Sequence, residues 1–295
     1  MLRFDYIAPT TLEEAAAALS GREVAGRIIA GGTDVLVQIK EEKLAVDLLV
    51  SIAGIPGLRS IHRDEKWVTI GARTTIREIE TSGYVRQSVP ILSDAVDQFG
   101  SVQIRNVATL GGNICNASPA ADTVPALLAL KAQVAYWSPG EMNRRDLHQF
   151  FVSPGKTVLG RGDILASVRF EKPHPRTGGA YLRFTPRKGM DLPLVSIAVQ
   201  LQMDQDFSCC EEVTIALGAA APTPIRVTGT EEILKGERLT EEILAHAANQ
   251  ASQEARPRDD FRANAKYRQA MIRNLLPEVI KRAVSRSRQC TEIQV

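Results

Sequence analysis

Ile28-Ile-Ala-Gly-Gly-Thr-Asp34, followed at once by Val35-Leu-Val-Gln-Ile-Lys40, is the stretch on which the reading of this chain turns. A short apolar run in front of two glycines reads as a buried strand ending in a turn, and Thr33 and Asp34 can cap a helix beginning at Val35. Glycine puts no Cβ between a backbone N–H and an approaching anion, and the positive end of a helix adds to the same field. Much later, Thr109-Leu-Gly-Gly-Asn113 repeats the theme as a second glycine turn with Thr109 and Asn113 as side-chain donors. Two such bends facing each other would hold a diphosphate. A Gly-Gly pair is more often an ordinary tight turn, so the spacing alone leaves both readings open.

The rest of the chain mixes strands and helices. Thr11-Leu-Glu-Glu14 has capping-box spacing and opens an alanine-rich helix that stops at Ser20-Gly21. Residues 48–52 and 67–70 read as strands, and Thr75-Ile-Arg-Glu78 is a second capping box. Helices are expected over 91–99, ending near Gly100, and over 122–130, then a strand over 133–137. Residues 151–170 read as two strands joined at Gly160-Arg-Gly162, and two prolines and two glycines within 172–179 mark a domain boundary. Beyond it, 195–203 and 212–217 alternate as antiparallel strands, and helices follow over 231–234, 241–251 and 264–284. In the last, Ile272, Leu275, Leu276, Val279, Ile280 and Val284 share one face, and Pro277 is expected to kink or interrupt it.

Composition narrows the function. With 295 residues, 44% of them hydrophobic, the chain has room for about two domains with their own cores. A net charge of +2 gives no global field that would recruit nucleic acid or a membrane surface. The N-terminus lacks a charged stretch followed by an apolar segment, and no apolar run approaches the ~18 residues of a membrane span, so a cytoplasmic protein is expected. Cys115, Cys209, Cys210 and Cys290 show no C-x-x-C spacing, and His62, His148, His174 and His246 are scattered, so no metal is expected in this chain. No G-x-G-x-x-G follows a strand, and Pro154-Gly-Lys-Thr157 lacks the first P-loop glycine because position 150 is Phe; it reads as a turn.

Four segments in order carry a family resemblance: Ile28 to Asp34, Thr109-Leu-Gly-Gly-Asn-Ile-Cys-Asn-Ala-Ser-Pro-Ala-Ala-Asp122, Phe150-Phe-Val-Ser-Pro-Gly-Lys-Thr157, and Tyr181-Leu-Arg-Phe-Thr-Pro-Arg-Lys-Gly-Met-Asp191. Together they resemble the FAD-binding medium subunit of carbon monoxide dehydrogenase and xanthine dehydrogenase enzymes, the molybdenum hydroxylase family, from about Phe4 to about Val284. The resemblance implies an α+β fold: a vanillyl-alcohol-oxidase-like (PCMH-type) FAD-binding domain over 1–172, in two α/β parts of about 1–55 and 56–172. A small C-terminal domain of antiparallel strands and helices is implied over 178–288.

It also implies the site. Ile28, Ile29, Ala30, Gly31, Gly32, Thr33, Asp34 and Val35 match the first FAD loop, and Thr109, Leu110, Gly111, Gly112 and Asn113 the second. Phe99 matches an aromatic position near the cofactor, Asp122 a carboxylate that hydrogen-bonds it, Leu165 a contact near the flavin ring, and Arg183 a position where xanthine dehydrogenases carry lysine. Read without the resemblance, Asp122 is a helix N-cap, Phe99 and Leu165 are core residues, and Arg183 is a solvated strand residue. The FAD is expected to be non-covalent, since no histidine lies in either loop, and no catalytic acid, base or nucleophile is expected. The implied role is an electron relay, with iron–sulfur clusters on a small partner subunit and the molybdenum cofactor on a large one, in a heterotrimer or a dimer of heterotrimers. The alternatives are a stand-alone NADH-dependent flavin reductase and a flavin-free bridging subunit. The stretch 256–288 holds ten Lys/Arg against three Asp/Glu, which reads either as a solvated face or as a dock for an acidic partner.

Overall fold

The computed structural model describes residues 4–20, 25–187 and 191–292, with side chains as far as 289. The expected helix stop at Gly21 and the Lys188-Gly-Met190 part of the fourth segment lie outside the described residues.

The first unit is built from β1 (Asp5–Ile7), α1 (Leu12–Ser20), β2 (Gly26–Ile29), α2 (Val35–Lys40) and β3 (Leu48–Ser51), with a parallel sheet in the order β1-β3-β2. The central strand β3 is buried along its whole length, as expected for an apolar run covered on both faces. Only half of the predicted capping box forms at α1. Thr11 Oγ1 accepts from the Glu14 amide at 3.1 Å, but the Glu14 carboxylate reaches past it to the Thr10 amide at 2.9 Å.

The second unit contains β4 (Ile61–Arg63), β5 (Trp67–Gly71), α3 (Ile76–Thr81), α4 (Gly83–Ser88), α5 (Pro90–Asp97), α6 (Val102–Val107), α7 (Leu110–Cys115), α8 (Thr123–Ala129), β6 (Gln133–Ser138), β7 (Glu141–Asp146), β8 (Phe151–Ser153), β9 (Lys156–Thr157) and β10 (Ile164–Glu171). Its five-stranded sheet is antiparallel, in the order β4-β5-β10-β6-β7. The helices bury Ile76, Ile91, Leu110, Ile114 and Leu127 against Ile70, Val134 and Val168 of the sheet. The Thr75 capping box forms completely. Residues 151–170 differ from the expected pair of strands: β8 and β9 form a separate tight hairpin, turned by Gly155 at φ +73°, and only β10 joins the sheet.

The third unit is β11 (Thr177–Phe184), β12 (Val195–Met203), β13 (Cys210–Gly218), β14 (Ile225–Arg226), α9 (Thr228–Leu234), α10 (Glu241–Glu254) and α11 (Ala265–Glu292). Its antiparallel sheet separates two layers. One face presents Val195, Ile197, Val199 and Leu201 to α10 and α11. The other presents small residues, Ala198 and Ala216, to the core of the second unit. Gly178 and Gly179, expected in a boundary linker, belong instead to β11. A Cβ on Gly178 would meet the Ala283 carbonyl oxygen at 1.9 Å, and one on Gly179 would meet Ile91 Cβ at 2.9 Å, so these glycines allow close packing on both faces. α11 runs unbroken through Pro277. The proline removes one backbone donor, but Ile272 and Leu276 before it and Val279 and Ile280 after it pack into one cluster, which holds the axis continuous.

Asp94 of α5 fastens the third unit to the second. It accepts from Arg282 Nη2 at 2.5 Å, Arg286 Nη1 at 2.6 Å and the Tyr181 amide at 3.1 Å.

A candidate FAD cleft

The carboxyl end of β2 delivers residues 30–34 to the mouth of a cleft of about 980 Å³, whose other walls come from α7, the β8–β9 hairpin and the start of β10. That volume is at the upper end of the range for small-molecule sites, ~300–1,000 Å³. Gly31 sits where a Cβ would lie 1.9 Å from the Val107 carbonyl oxygen, so the first glycine bend packs directly on the segment leading into the second. Gly32 has φ +74°, the left-handed region that glycine occupies without strain. Among the described residues, the amides of Gly31, Gly32, Thr33 and Asp34 donate to no protein acceptor. Four successive free N–H groups around a left-handed residue form a nest for an oxyanion. Asp34 occupies the N-cap position of α2 without capping it. Its Oδ1 instead accepts from Asn116 Nδ2 at 2.9 Å, tying α2 to α7, and burial raises its pKa.

The second glycine pair is not a turn. It is the first turn of α7, and its amides are engaged: Leu110 donates to Thr74 O at 3.0 Å, Gly111 to Ala72 O at 2.7 Å, Gly112 to Thr109 Oγ1 at 3.1 Å and Asn113 to Thr109 O at 3.0 Å. These glycines act through their lack of Cβ. One on Gly111 would meet Ala72 Cβ and O at 2.7 Å. The two bends thus differ in kind: the first offers donors, the second a close-packed wall. The Asn113 Oδ1 accepts from Thr123 Oγ1 at 2.7 Å, which orients the side chain at the cleft.

Ile28, Ala30, Gly31, Gly32, Thr33, Asp34, Val35, Phe99, Thr109, Gly111, Gly112, Asn113 and Leu165 all line this one cleft. Phe99 is fixed by Arg105, whose Nη1 donates to the Phe99 carbonyl at 2.9 Å while its Nε pairs with Glu80 at 2.9 Å. Leu165 is buried at a register shift between β10 and β6, which falls between Leu165 and Ser167. Four expected residues lie off the wall. Ile29 packs with Ile39, Val46 and Leu49 behind the bend, and Leu110 is in the core of the second unit. Asp122 and Arg183 pair with each other, Nε to Oδ1 at 2.8 Å. Asp122 stands at the head of α8 with helical backbone and caps nothing; burial raises its pKa to about 6, against the pull of Arg183 and Tyr181.

The structure adds Gln38, Cys115, Asn116, Gly155, Lys156, Thr157 and residues 160–164 to the lining. The false P-loop is indeed a turn, but one that brings Lys156 to the cleft; a lysine inside a glycine turn was the available signal. Burial pushes the Cys115 thiol up to about 12, which leaves it inert. Among the described residues no cluster of His, Cys, Asp and Glu is arranged for a metal, and no helix is long and apolar enough to cross a membrane.

The donor set suits a flavin dinucleotide. A nest of free amides takes a diphosphate, Lys156 and Arg27 add positive charge, and Ile28, Phe99, Leu159, Ile164 and Leu165 supply an apolar wall for a ring system. Fold and cleft together define an FAD-binding chain of the molybdopterin-dependent dehydrogenases. The chain belongs to that family: residues 2–173 match the FAD binding domain in molybdopterin dehydrogenase, and residues 180–283 the CO dehydrogenase flavoprotein C-terminal domain. It is 31% identical to the xanthine dehydrogenase FAD-binding subunit of Escherichia coli O157:H7, over 88% of this chain and 89% of that protein. It is 28% identical to the carbon monoxide dehydrogenase medium chain of Hydrogenophaga pseudoflava, over 96% of this chain and 98% of that one. A solved carbon monoxide dehydrogenase from Hydrogenophaga pseudoflava that lacks the Mo-pyranopterin moiety superposes with a TM-score of 0.93 at 28% identity, covering 96% of this chain and 98% of that one. The chain is therefore an oxidoreductase subunit of the carbon monoxide and xanthine dehydrogenase type, with the α+β fold that its sequence motifs implied.

Proposed function

We propose that this chain relays electrons: it takes them from iron–sulfur clusters on a small partner subunit and passes them to an external acceptor, while substrate is oxidised at a molybdenum cofactor on a large subunit. The carrying observation is the row of four free amides at Gly31 to Asp34, facing a Cβ-free helix turn across one cleft. The first bend holds the diphosphate of FAD. The α7 turn, Phe99 and Leu165 bound the rest of the cofactor, and the Asp122–Arg183 pair supports it from behind Asn113 and Thr123. Bound FAD supplies the ability to accept electrons singly and release them as a pair. The chain's own groups bind, orient and shield it; no side chain acts as acid, base or nucleophile.

Residues 1–172 form the FAD-binding domain and 178–288 the C-terminal domain, in a cytoplasmic heterotrimer or dimer of heterotrimers. The names of the relatives, as a medium chain and as an FAD-binding subunit, support a multisubunit setting. Purification of the native complex tests the proposal. The chain should carry one non-covalent FAD, bleached by substrate only when the partner subunits are present. A chain that takes up no FAD, or whose FAD is reduced by NADH without partners, defeats it.

A further inference from the structure

Asp34 puts a carboxylate beside the nest that would hold a diphosphate. Its amide is the last of the four free donors in the first bend, and its side chain lines the same cleft. Covalent geometry keeps its carboxyl carbon two bonds from the Cα that carries that amide. A diphosphate seated on the nest therefore comes within a few ångströms of the carboxylate, the range of ~4–6 Å over which a like charge disfavours ionisation.

The carboxylate is also held in place. Its Oδ1 accepts from Asn116 Nδ2 at 2.9 Å, and Asn116 Oδ1 accepts from Gln38 Nε2 at 3.4 Å, so the tie runs from α2 to α7 and back. Protonation leaves this tie intact, because a neutral carboxyl keeps an acceptor oxygen and gains an O–H donor. No cation compensates the charge: among the described residues Asp34 forms no ion pair, and it caps nothing. The charged groups that share the lining are Arg27 of β2, Lys156 of the β8–β9 hairpin, and Arg161 and Asp163 ahead of β10. Arg161 Nε donates to the Leu19 carbonyl at 2.9 Å, and Asp163 Oδ2 accepts from the Gly160 amide at 2.7 Å. From α7 come only Asn116 and the protonated Cys115 thiol, and on α2 itself the basic residue is Lys40 in the last turn.

We infer that Asp34 takes up a proton from solvent when the diphosphate of FAD enters the nest, so that the chain binds FAD more tightly as pH falls. This rests on reading the cleft as the FAD site. The sign follows from the charges. Partial burial already holds the free carboxyl above the ordinary 3.8, and an arriving dianion moves it further up. Between those two positions the bound chain carries more protons than the free one, and affinity is lost as pH rises through them. Lysine and arginine keep their charge across this range, and no histidine is among the described residues of the lining. The neutral carboxyl then offers its O–H as a further donor beside the nest, while Asn116 keeps Oδ1 in place.

The test uses the native complex, freed of FAD and rebinding it between pH 5.5 and 8. Affinity is read from flavin fluorescence, and the proton count from calorimetry in buffers of different ionisation enthalpy. Wild type should take up protons and lose about three- to tenfold in affinity from pH 6 to pH 8. Asp34→Asn keeps the oxygen for Asn116; it should take up no proton, flatten the profile and bind FAD more tightly than wild type at pH 8. A purely structural tie would give equal or weaker binding at every pH. Asp34→Ala should flatten the profile too, but bind more weakly than Asp34→Asn, because Asn116 loses its partner. Proton uptake that persists in Asp34→Asn, a wild-type affinity indifferent to pH, or no gain in Asp34→Asn at pH 8 overturns the inference. A complex that takes up no FAD at any pH defeats the FAD reading as well; FAD bound without proton uptake defeats only the role of Asp34.

Discussion

Arg183 Nε lies 2.8 Å from Asp122 Oδ1, joining β11 of the third unit to the head of α8 in the second, with both side chains almost completely removed from water. The two atoms are close without hydrogen-bond alignment, so the pair compensates burial only in part. Burial is the larger influence on Asp122 and carries its pKa to about 6; Arg183 and Tyr181 pull the other way.

A pH dependence of stability follows from that balance. The folded-state pKa of Asp122 stands above the ordinary 3.8, so between pH 3.8 and about 6 the folded chain binds more protons than the unfolded one. Stability from this group therefore falls as pH rises through that window, by roughly 2–3 kcal/mol in total. Asp122→Asn should flatten the slope in urea denaturation followed from pH 4 to 7. Arg183→Met should cost roughly 3 kcal/mol at pH 7 and clearly less at pH 5, where the stranded carboxyl is protonated.

Gly31, Gly111 and Gly112 of the cleft should respond unequally to a methyl group. Gly31→Ala drives a Cβ into the Val107 carbonyl and Gly111→Ala one into Ala72, backbone atoms that cannot rotate away. Each should cost about 3 kcal/mol or more and reduce FAD affinity at least tenfold. Gly112→Ala meets only Thr109 Oγ1, at 2.9 Å, and should cost about 1 kcal/mol, the value of a disturbed N-cap. Thermal melts with and without FAD check the order.

Arg105 should position Phe99 without touching the cofactor. Its guanidinium spans Glu80 and the Phe99 carbonyl, and its buried setting makes both contacts count. Arg105→Gln should lower FAD affinity about tenfold and alter the visible circular dichroism of the bound flavin. Arg105→Lys can restore the ion pair but not the second arm of the fork, so it should rescue stability more than the spectrum. Equal recovery of both would assign Arg105 a purely structural part.

Much of this was legible in the sequence because it rests on local chemistry. The strand, glycine bend and helix over 28–40 emerge as read, since each boundary is set by residues within a few positions. The second glycine pair was misread as a turn because its partners, Ala72 and Thr74, lie in a distant segment, and only the fold shows that its amides are already engaged. The same holds for Gly178 and Gly179, which resemble a linker until Ala283 and Ile91 are packed against them. Asp122 looked like a helix cap because α8 begins beside it; its partner Arg183 is on β11 of the third unit, beyond the reach of any spacing rule. Pro277 failed to break α11 because the apolar stripe on both sides of it is held by one sheet, an example of tertiary packing overriding propensity.

Asp94 separates two contributions that are usually entangled, because one carboxylate serves both a backbone amide and two guanidinium groups. Asp94→Asn keeps an oxygen for the Tyr181 amide and removes the charge that Arg282 and Arg286 share, whereas Asp94→Ala removes both. Arg282 is 40% exposed, so solvent screens its share, and the charge component should be about 1–2 kcal/mol. Leaving the Tyr181 amide unsatisfied in the interior adds roughly 1–3 kcal/mol more in the alanine variant. Urea denaturation gives the two totals, and hydrogen exchange at the Tyr181 amide distinguishes their origin. Protection should survive Asp94→Asn and collapse in Asp94→Ala; equal protection in both variants would mean that β11 is held to α5 without this hydrogen bond.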